Sequence, residues 1–250
     1  MTKPLYASLL ALITIAIVSL VAPRQGSAQT DTGTLAKEPV LLELFTSQGC
    51  SSCPPADRLA AKLAKEPGLV VISRPVDYWD RLGWKDTFAK PSNTALQRQY
   101  ARRGLSGYNG VYTPQTVVAG LLGEVGSNER TIRRFAKQAA QSNRAAIRVR
   151  RREDGGFGIG LAGKAQNRTD LVLMGVSGRE TVAIGRGENG GRRVTYTNVL
   201  ISEKRVAQWD GGPASHRITP AQLITPGADR YALVLREPNG GRVLAASWLP

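Results

Sequence analysis

Cys50-Ser51-Ser52-Cys53 separates a short apolar run (PVLLELFT, 39–46) from a stretch of helical periodicity (PPADRLAAKLAK, 54–65), and this junction constrains the chain more than any other feature. The apolar run is bounded by turn residues and suits a buried strand, while Leu59, Leu63 and nearby alanines share one helical face. Leu69 to Ser73 (LVVIS) reads as a second buried strand. Strand, helix and strand in that order make a β-α-β unit with parallel strands, and an α/β layer architecture follows.

Downstream, a helix is expected from Ser92 or Asn93 to near Gly104. Thr113-Pro114 opens a strand at Gln115 to Val118, and Leu121 to Val125 follows at hairpin spacing. Ser127 is the expected cap of a helix running to about Gln141, with Ile132, Phe135 and Ala139 inward. The order β-α-β-α-β-β-α thus fills an α/β domain over 39–143. After Ser142 the helical period gives way to alternation at Phe157, Ile159 and Leu161, at Leu171 and Leu173, and at Val194 and Tyr196, punctuated by glycine-bearing segments. That texture predicts an all-β, sandwich-like antiparallel domain over 144–250.

Lys3, the apolar run LLALITIAIVSLVA (9–22) and the small residues Gly26-Ser27-Ala28 read as a signal peptide over 1–28 with cleavage after Ala28, followed by a flexible linker over 29–38. The apolar run is shorter than the roughly 20 residues a membrane-spanning helix needs. A periplasmic or secreted location follows as an expectation, in a compartment that permits disulfides. The chain carries a net charge of +15, densest at Arg148, Arg150, Arg151 and Arg152. No aromatic side chains are interleaved there, so a nucleic-acid stacking platform is not indicated and no nucleic-acid partner is expected. Membrane contact is expected only through the leader or a weak attraction to anionic surfaces.

Two cysteines are too few for a disulfide scaffold, and one histidine, His216, is too few for a zinc site built on histidines. No metal or cofactor is expected. Two cysteines three apart at a helix start can close into a disulfide and reopen. The helix N-terminus favours a thiolate, and lowering a thiol pKa from about 8.5 to about 7 raises the thiolate fraction at neutral pH from roughly 3% to about half. Cys50 is the expected nucleophile and Cys53 the resolving thiol. A permanent structural disulfide and a two-ligand metal contact are the alternatives, although a four-residue loop stabilises a fold by only about 2 kcal/mol. In the loop VDYWDRLGWK (76–85), Asp77 can serve as a proton acceptor near the dithiol with Tyr78 and Trp79 as a substrate rim. The same residues also suit a plain anchoring role, with the aromatics in the core and Asp77 capping a turn. The turn at Arg186 to Asn189 reads as an ordinary glycine-flanked hairpin turn, with anion binding by Arg186 as the alternative.

A strand, CSSC and a helix, followed later by Thr113-Pro114 ahead of a strand, resemble the thioredoxin fold. That resemblance implies a cis Pro114 facing the dithiol and a Thr113 that offers its backbone to a substrate. FTSQGCSSCPPAD, VDYWDRLGWKD, YTPQTVVAG and RGENGGRRVTYTNV together resemble a family of exported bacterial proteins known as domain of unknown function 1223, with a thioredoxin-like domain. Relatives commonly have a Phe-His pair where this chain has Arg74-Pro75. The expected function is that of an exported thiol-disulfide oxidoreductase, with catalytic Cys50 and Cys53 and substrate contacts at Thr113, Pro114, Asp77, Tyr78 and Trp79. Its partners would be disulfide- or thiol-bearing envelope proteins or small thiols, with an unidentified redox partner. The alternative is a non-catalytic envelope binding protein with a structural disulfide, its function carried by the β half.

Overall fold

The computed structural model describes residues 38–107, 110–142 and 145–250. The expected signal peptide, and the expected linker apart from Glu38, lie outside the described residues. The first half contains β1 (Val40–Thr46), α1 (Pro54–Leu63), β2 (Leu69–Pro75), α2 (Pro91–Arg102), β3 (Gln115–Val118), β4 (Leu122–Val125) and α3 (Glu129–Ser142), in the order read from the sequence. Pro54 and Pro55 open α1, where a missing N–H leaves no helical bond unmade, and Ala56, Leu59, Ala60 and Leu63 form its buried face. Gly104, at φ +78°, follows the end of α2 as expected of a C-terminal glycine. At α3 the capping role moves by one residue: the Asn128 carbonyl oxygen Oδ1, not Ser127, accepts from the Thr131 N–H at 3.3 Å.

The second half adds β5 (Ala145–Arg151), β6 (Phe157–Gly163), β7 (Thr169–Ala183), β8 (Arg193–Trp209), β9 (Ala214–Ile218), β10 (Arg230–Arg236) and β11 (Val243–Trp248). Its strands are those the alternation predicts, but they do not form a domain of their own. One eight-stranded sheet runs β11-β10-β7-β8-β2-β1-β3-β4, through both halves. The separate β domain expected beyond residue 143 is thereby corrected: the described residues from 38 onward fall in one compact unit. Alternation reports that a strand has an inside and an outside, and it does not report which strand lies beside it. Sandwich packing is nevertheless present, because β5-β6-β9 form a second sheet. Its Ile147, Phe157, Ile159 and Leu161 cluster with Leu171, Leu173, Leu233 and Leu235 of the large one.

Within the first half, β1 lies parallel to β2 and antiparallel to β3, which pairs with β4, giving the local order β2-β1-β3-β4. Leu44 packs in the cluster that includes α1 and α3, while its neighbour Phe45 packs with Tyr100 of α2. This is the period-2 alternation of a strand buried on both faces.

The seam between the halves is narrow. β2 and β8 share one ladder pair, Ser73 with Val199. It is reinforced by Ser73 Oγ donating to the Thr197 carbonyl at 2.7 Å and Asn198 Nδ2 donating to the Val71 carbonyl at 2.9 Å. Beside it lies a buried charge cluster. Arg74 of β2, 1% exposed, donates to Glu43 of β1 at 2.6 Å, to Glu203 of β8 at 2.9 Å and to Asn93 of α2 at 3.2 Å. Arg236 of β10 bridges the same two carboxylates, and Tyr100 donates its hydroxyl to Glu43. Burial pushes the Glu43 carboxyl up, but Arg236, Arg74 and the Tyr100 hydroxyl overcome this and hold it at about 2.

Removing one partner from such a cluster leaves buried charge uncompensated, so Glu43→Gln is expected to destabilise the protein by about 3 kcal/mol or more in urea unfolding at pH 7. Because the folded pKa lies below the ordinary value of 4.5, this contribution is present above that pH and is lost as the pH falls toward about 2. The gap between wild type and variant should close over that window; a gap independent of pH would contradict the assignment.

Candidate functional site

Cys50 and Cys53 are joined in a disulfide with their Cα atoms 5.4 Å apart. Cys53, not Cys50, is the N-cap of α1, and its carbonyl accepts from the N–H groups of Ala56 and Asp57. Cys50 sits one turn earlier, its carbonyl accepting from the Cys53 N–H at 3.2 Å. Ser52 Oγ lies 3.4 Å from Cys50 Sγ, close enough to donate to a thiolate there. Both cysteines are fully buried, while Ser51 and Ser52 are exposed.

The turn before the disulfide is held by Gln48, which the sequence reading did not single out. Its N–H donates to Asp86 Oδ2 at 2.8 Å, its Nε2 to Thr87 at 3.0 Å, and its Oε1 accepts from Trp84 Nε1 at 2.9 Å. Gly49 has little room for a side chain, since a Cβ there would stand 3.2 Å from the Trp79 Cβ, a tighter contact than most.

Of the residues expected around the dithiol, Thr113 and Pro114 are brought to it. The Thr113-Pro114 bond is cis, and Ser52 Oγ reaches the Thr113 carbonyl at 3.5 Å. Trp79 donates its indole N–H to Thr113 Oγ1 at 2.8 Å, so it braces the proline loop from behind. Tyr78 is held away on α2, its hydroxyl donating to Gln97 Oε1 at 3.3 Å. Asp77 is not arranged as a proton acceptor for the cysteines: its Oδ1 accepts from the Thr94 hydroxyl at 2.6 Å, and Thr94 is on α2. These contacts tie Asp77 and Tyr78 to α2 and Trp79 to Thr113.

The carboxyl close to the dithiol in sequence and space is Asp57, one helical turn after Cys53. It is fully buried; Thr46 donates to its Oδ1 at 2.8 Å, and among the described residues its Oδ2 has no hydrogen-bond partner. Burial, with a smaller push from Asp86, raises its pKa to about 8 against the opposing Thr46 hydrogen bond and Arg58. It is therefore protonated at neutral pH. An acid in the sequence DRLAAKL looks like a first-turn helix residue, and only the contact with β1 reveals it as buried.

The second half also reaches the site. The turn at the tip of the β7–β8 hairpin covers the CxxC loop: Asn189, fully buried, donates to the carbonyls of Gln48 at 3.0 Å and Cys50 at 2.8 Å. The Glu188 carboxylate accepts from the Ser51 N–H at 3.0 Å. The plain-turn reading of this segment misses these contacts, because they depend on a hairpin long enough to carry the tip there. Among the described residues no cluster of three metal-ligating side chains occurs.

The description "Protein of unknown function (DUF1223)" matches residues 41–236 of the chain. The chain belongs to this family. A crystal structure of a protein from Agrobacterium tumefaciens is similar to this DUF1223 protein, with 30% identity and a TM-score of 0.72, over 86% of this chain and 96% of that one. HBP35 of Porphyromonas gingivalis shares the fold at 12% identity and a TM-score of 0.58, over 85% of this chain and 75% of that one. A probable thioredoxin of Archaeoglobus fulgidus is 45% identical over 38 residues, which is 15% of the DUF1223 chain and 42% of the thioredoxin. The match thus spans less than half of that thioredoxin.

Asp57 sets a pH test for the site. A raised folded pKa means that the folded state holds a proton the unfolded chain has released, so stability falls as pH rises from about 4 to about 8. Asp57→Asn, compared with wild type in the oxidised state, should gain thermal stability relative to it across that window. A difference in melting temperature that does not change between pH 4 and 8 would show that the carboxyl ionises freely.

Proposed function

We propose that this protein is an exported thiol-disulfide oxidoreductase with a thioredoxin-like arrangement, working through Cys50 and Cys53. The observation that carries the reading is the closed Cys50–Cys53 pair at the start of α1, faced across Ser52 by the Thr113-Pro114 segment. The strand order β2-β1-β3-β4, with α1 leading from β1 to β2, and the short identity to a thioredoxin support it. The leader-like N-terminus supports export to an oxidising compartment.

In the reducing direction, the Cys50 thiolate attacks one sulfur of a substrate disulfide. A bond forms between Cys50 and that sulfur while the other substrate sulfur leaves as a thiolate. Cys53, deprotonated, then attacks Cys50 Sγ, closes the disulfide and expels the remaining substrate thiolate. Two electrons pass from the protein to the substrate, and the two cysteine protons end on the substrate thiols. The oxidising direction is the reverse. Ser52 Oγ is placed to donate to the Cys50 thiolate, while the buried Asp57 carboxyl, in the first turn of α1 after Cys53, would have to ionise before it could accept the Cys53 proton.

A second reading, a structural disulfide in a non-catalytic binding protein, is favoured by one observation: both cysteines are fully buried beneath the hairpin tip. Cys53→Ser separates the two. In an exchange catalyst it leaves a reactive Cys50 that accumulates mixed disulfides with envelope proteins, which vanish on adding dithiothreitol. A variant that is secreted and folded, yet forms no mixed disulfide with a model cystine peptide or any envelope protein, would support the structural reading.

A further inference from the structure

A cleft of about 550 Å³ opens between α1 and the start of β8, with Pro54, the residue after Cys53, in its wall. Arg58 of α1, Arg192 before β8 and Arg193 of β8 line it, and Val194 and Thr195 complete the lining. Its size falls within the roughly 300–1,000 Å³ of small-ligand sites. Three guanidiniums in one cleft repel one another unless an anion joins them. Among the described residues none of the three takes part in an ion pair. Arg192 donates to the neutral Asn189 side chain at 2.9 Å, which orients it without neutralising it.

The carboxyls of Glu188, Asp57 and Asp86 do not supply the missing charge, Asp86 being buried and held by the N–H groups of Gln48 and Phe88. Glu188 is held over the CxxC loop by the Ser51 N–H, and Asp57 is buried on the inner side of α1. The positive character continues beyond the cleft: Arg58 also lines a second one, of about 440 Å³, with Lys65, Arg179 and Arg230. Basic excess over the whole chain accounts for a positive surface. It does not account for three arginines without an ion pair lining one concave wall that also contains Pro54, the residue after Cys53.

We infer that the Arg58–Arg192–Arg193 cleft is a carboxylate-binding subsite that holds the anionic portion of the thiol or disulfide reacting at Cys50–Cys53. The inference rests on the redox reading above and adds the substrate class to it. Guanidinium forks match carboxylates in a bidentate manner, and a carboxylate close to a sulfur occurs in small mercapto acids and in cysteines flanked by Asp or Glu. The step concerned is exchange: a substrate thiolate attacks the Cys50–Cys53 bond, forms a mixed disulfide and releases a protein thiolate. A second substrate thiol then leaves with the first as a disulfide, and the protein pair is reduced with two protons.

The test measures the rate of reduction of the oxidised protein by mercaptosuccinate and by uncharged 2-mercaptoethanol, each expressed per thiolate. The readout is the ratio of the two rates. Arg58→Gln/Arg192→Gln/Arg193→Gln, three substitutions at exposed positions, should lower that ratio by about tenfold or more, and raising salt from about 50 to 500 mM should lower it several-fold in wild type. A ratio unchanged by the substitutions would overturn the inference. If wild type resists both reductants, the redox reading fails by itself, and the cleft is then judged by succinate titration of the arginine Nε–Hε signals. Saturable shifts of the Arg58, Arg192 and Arg193 signals with succinate but not with uncharged succinamide would uphold a carboxylate site, and their absence would overturn it. A cystine peptide flanked by Asp, compared with one flanked by Gln, distinguishes the sources. Preference for the Asp peptide assigns the subsite to protein substrates, and preference confined to mercaptosuccinate assigns it to small thiols.

Discussion

The charge cluster of the buried Glu43, Arg74 and Arg236 with the more exposed Glu203 is the interaction on which the rest of the structure depends. It joins β1, β2, β8 and β10 at the point where the sheet passes from one half of the chain to the other, and where backbone pairing is thin. Taking Glu43, Arg74 and Arg236 out of water is costly, with Glu203 closing the cluster from its solvent side, and hydrophobic residues of equal volume are often at least as stabilising. What the charges add is discrimination. A shift of β8 against β2 by one residue would turn Glu203 away from Arg74 and leave a buried guanidinium short of a partner, on top of exposing the apolar face of β8. Tyr100 and Asn93 extend the same network into α2, so the helix is placed by the same contacts.

The candidate site inherits its geometry from that seam. β7 and β8 pair from Thr169–Trp209 to Ala183–Arg193, forming a long ribbon whose tip carries Glu188 and Asn189 to the CxxC loop. The dithiol region is therefore built from both halves: Gln48 and the cysteines from the β1–α1 loop, Trp79 and Trp84 from the β2–α2 connection, Thr113-Pro114 ahead of β3, and Asn189 from the hairpin. The second half is part of the site, not an appended module. Its two hydrogen bonds to backbone carbonyls fix the path of residues 48–50, and its arginines supply the charge along α1.

Much of the first half was legible in the sequence, because strands buried on both faces and a helix opened by two prolines leave strong local signals. The bounds of β3 were read to the residue, and the CxxC pair announces itself by spacing. The cis Thr113-Pro114 bond came from family resemblance, not from local pattern. What was not legible depends on tertiary contact. Glu43 in VLLELFT, Arg74 in LVVISRP and Arg236 in YALVLR each interrupt an apolar run, and three charges in buried strands could have been matched as partners. The merger of the halves into one sheet gave no local signal, since β8 alternates in the same way whether its neighbour is β2 or solvent. Asp77 stands out in the sequence through its aromatic neighbours, whereas Asp57, a buried acid, lies within an ordinary amphipathic helix.

The central claim is that the Cys50–Cys53 pair opens and closes in function. Its equilibrium reduction potential, measured by alkylation and mass shift across glutathione buffers, tests this most directly. The account predicts a value between about −120 and −270 mV, the range of exchange catalysts. A value below about −300 mV would mark a structural bond and contradict it.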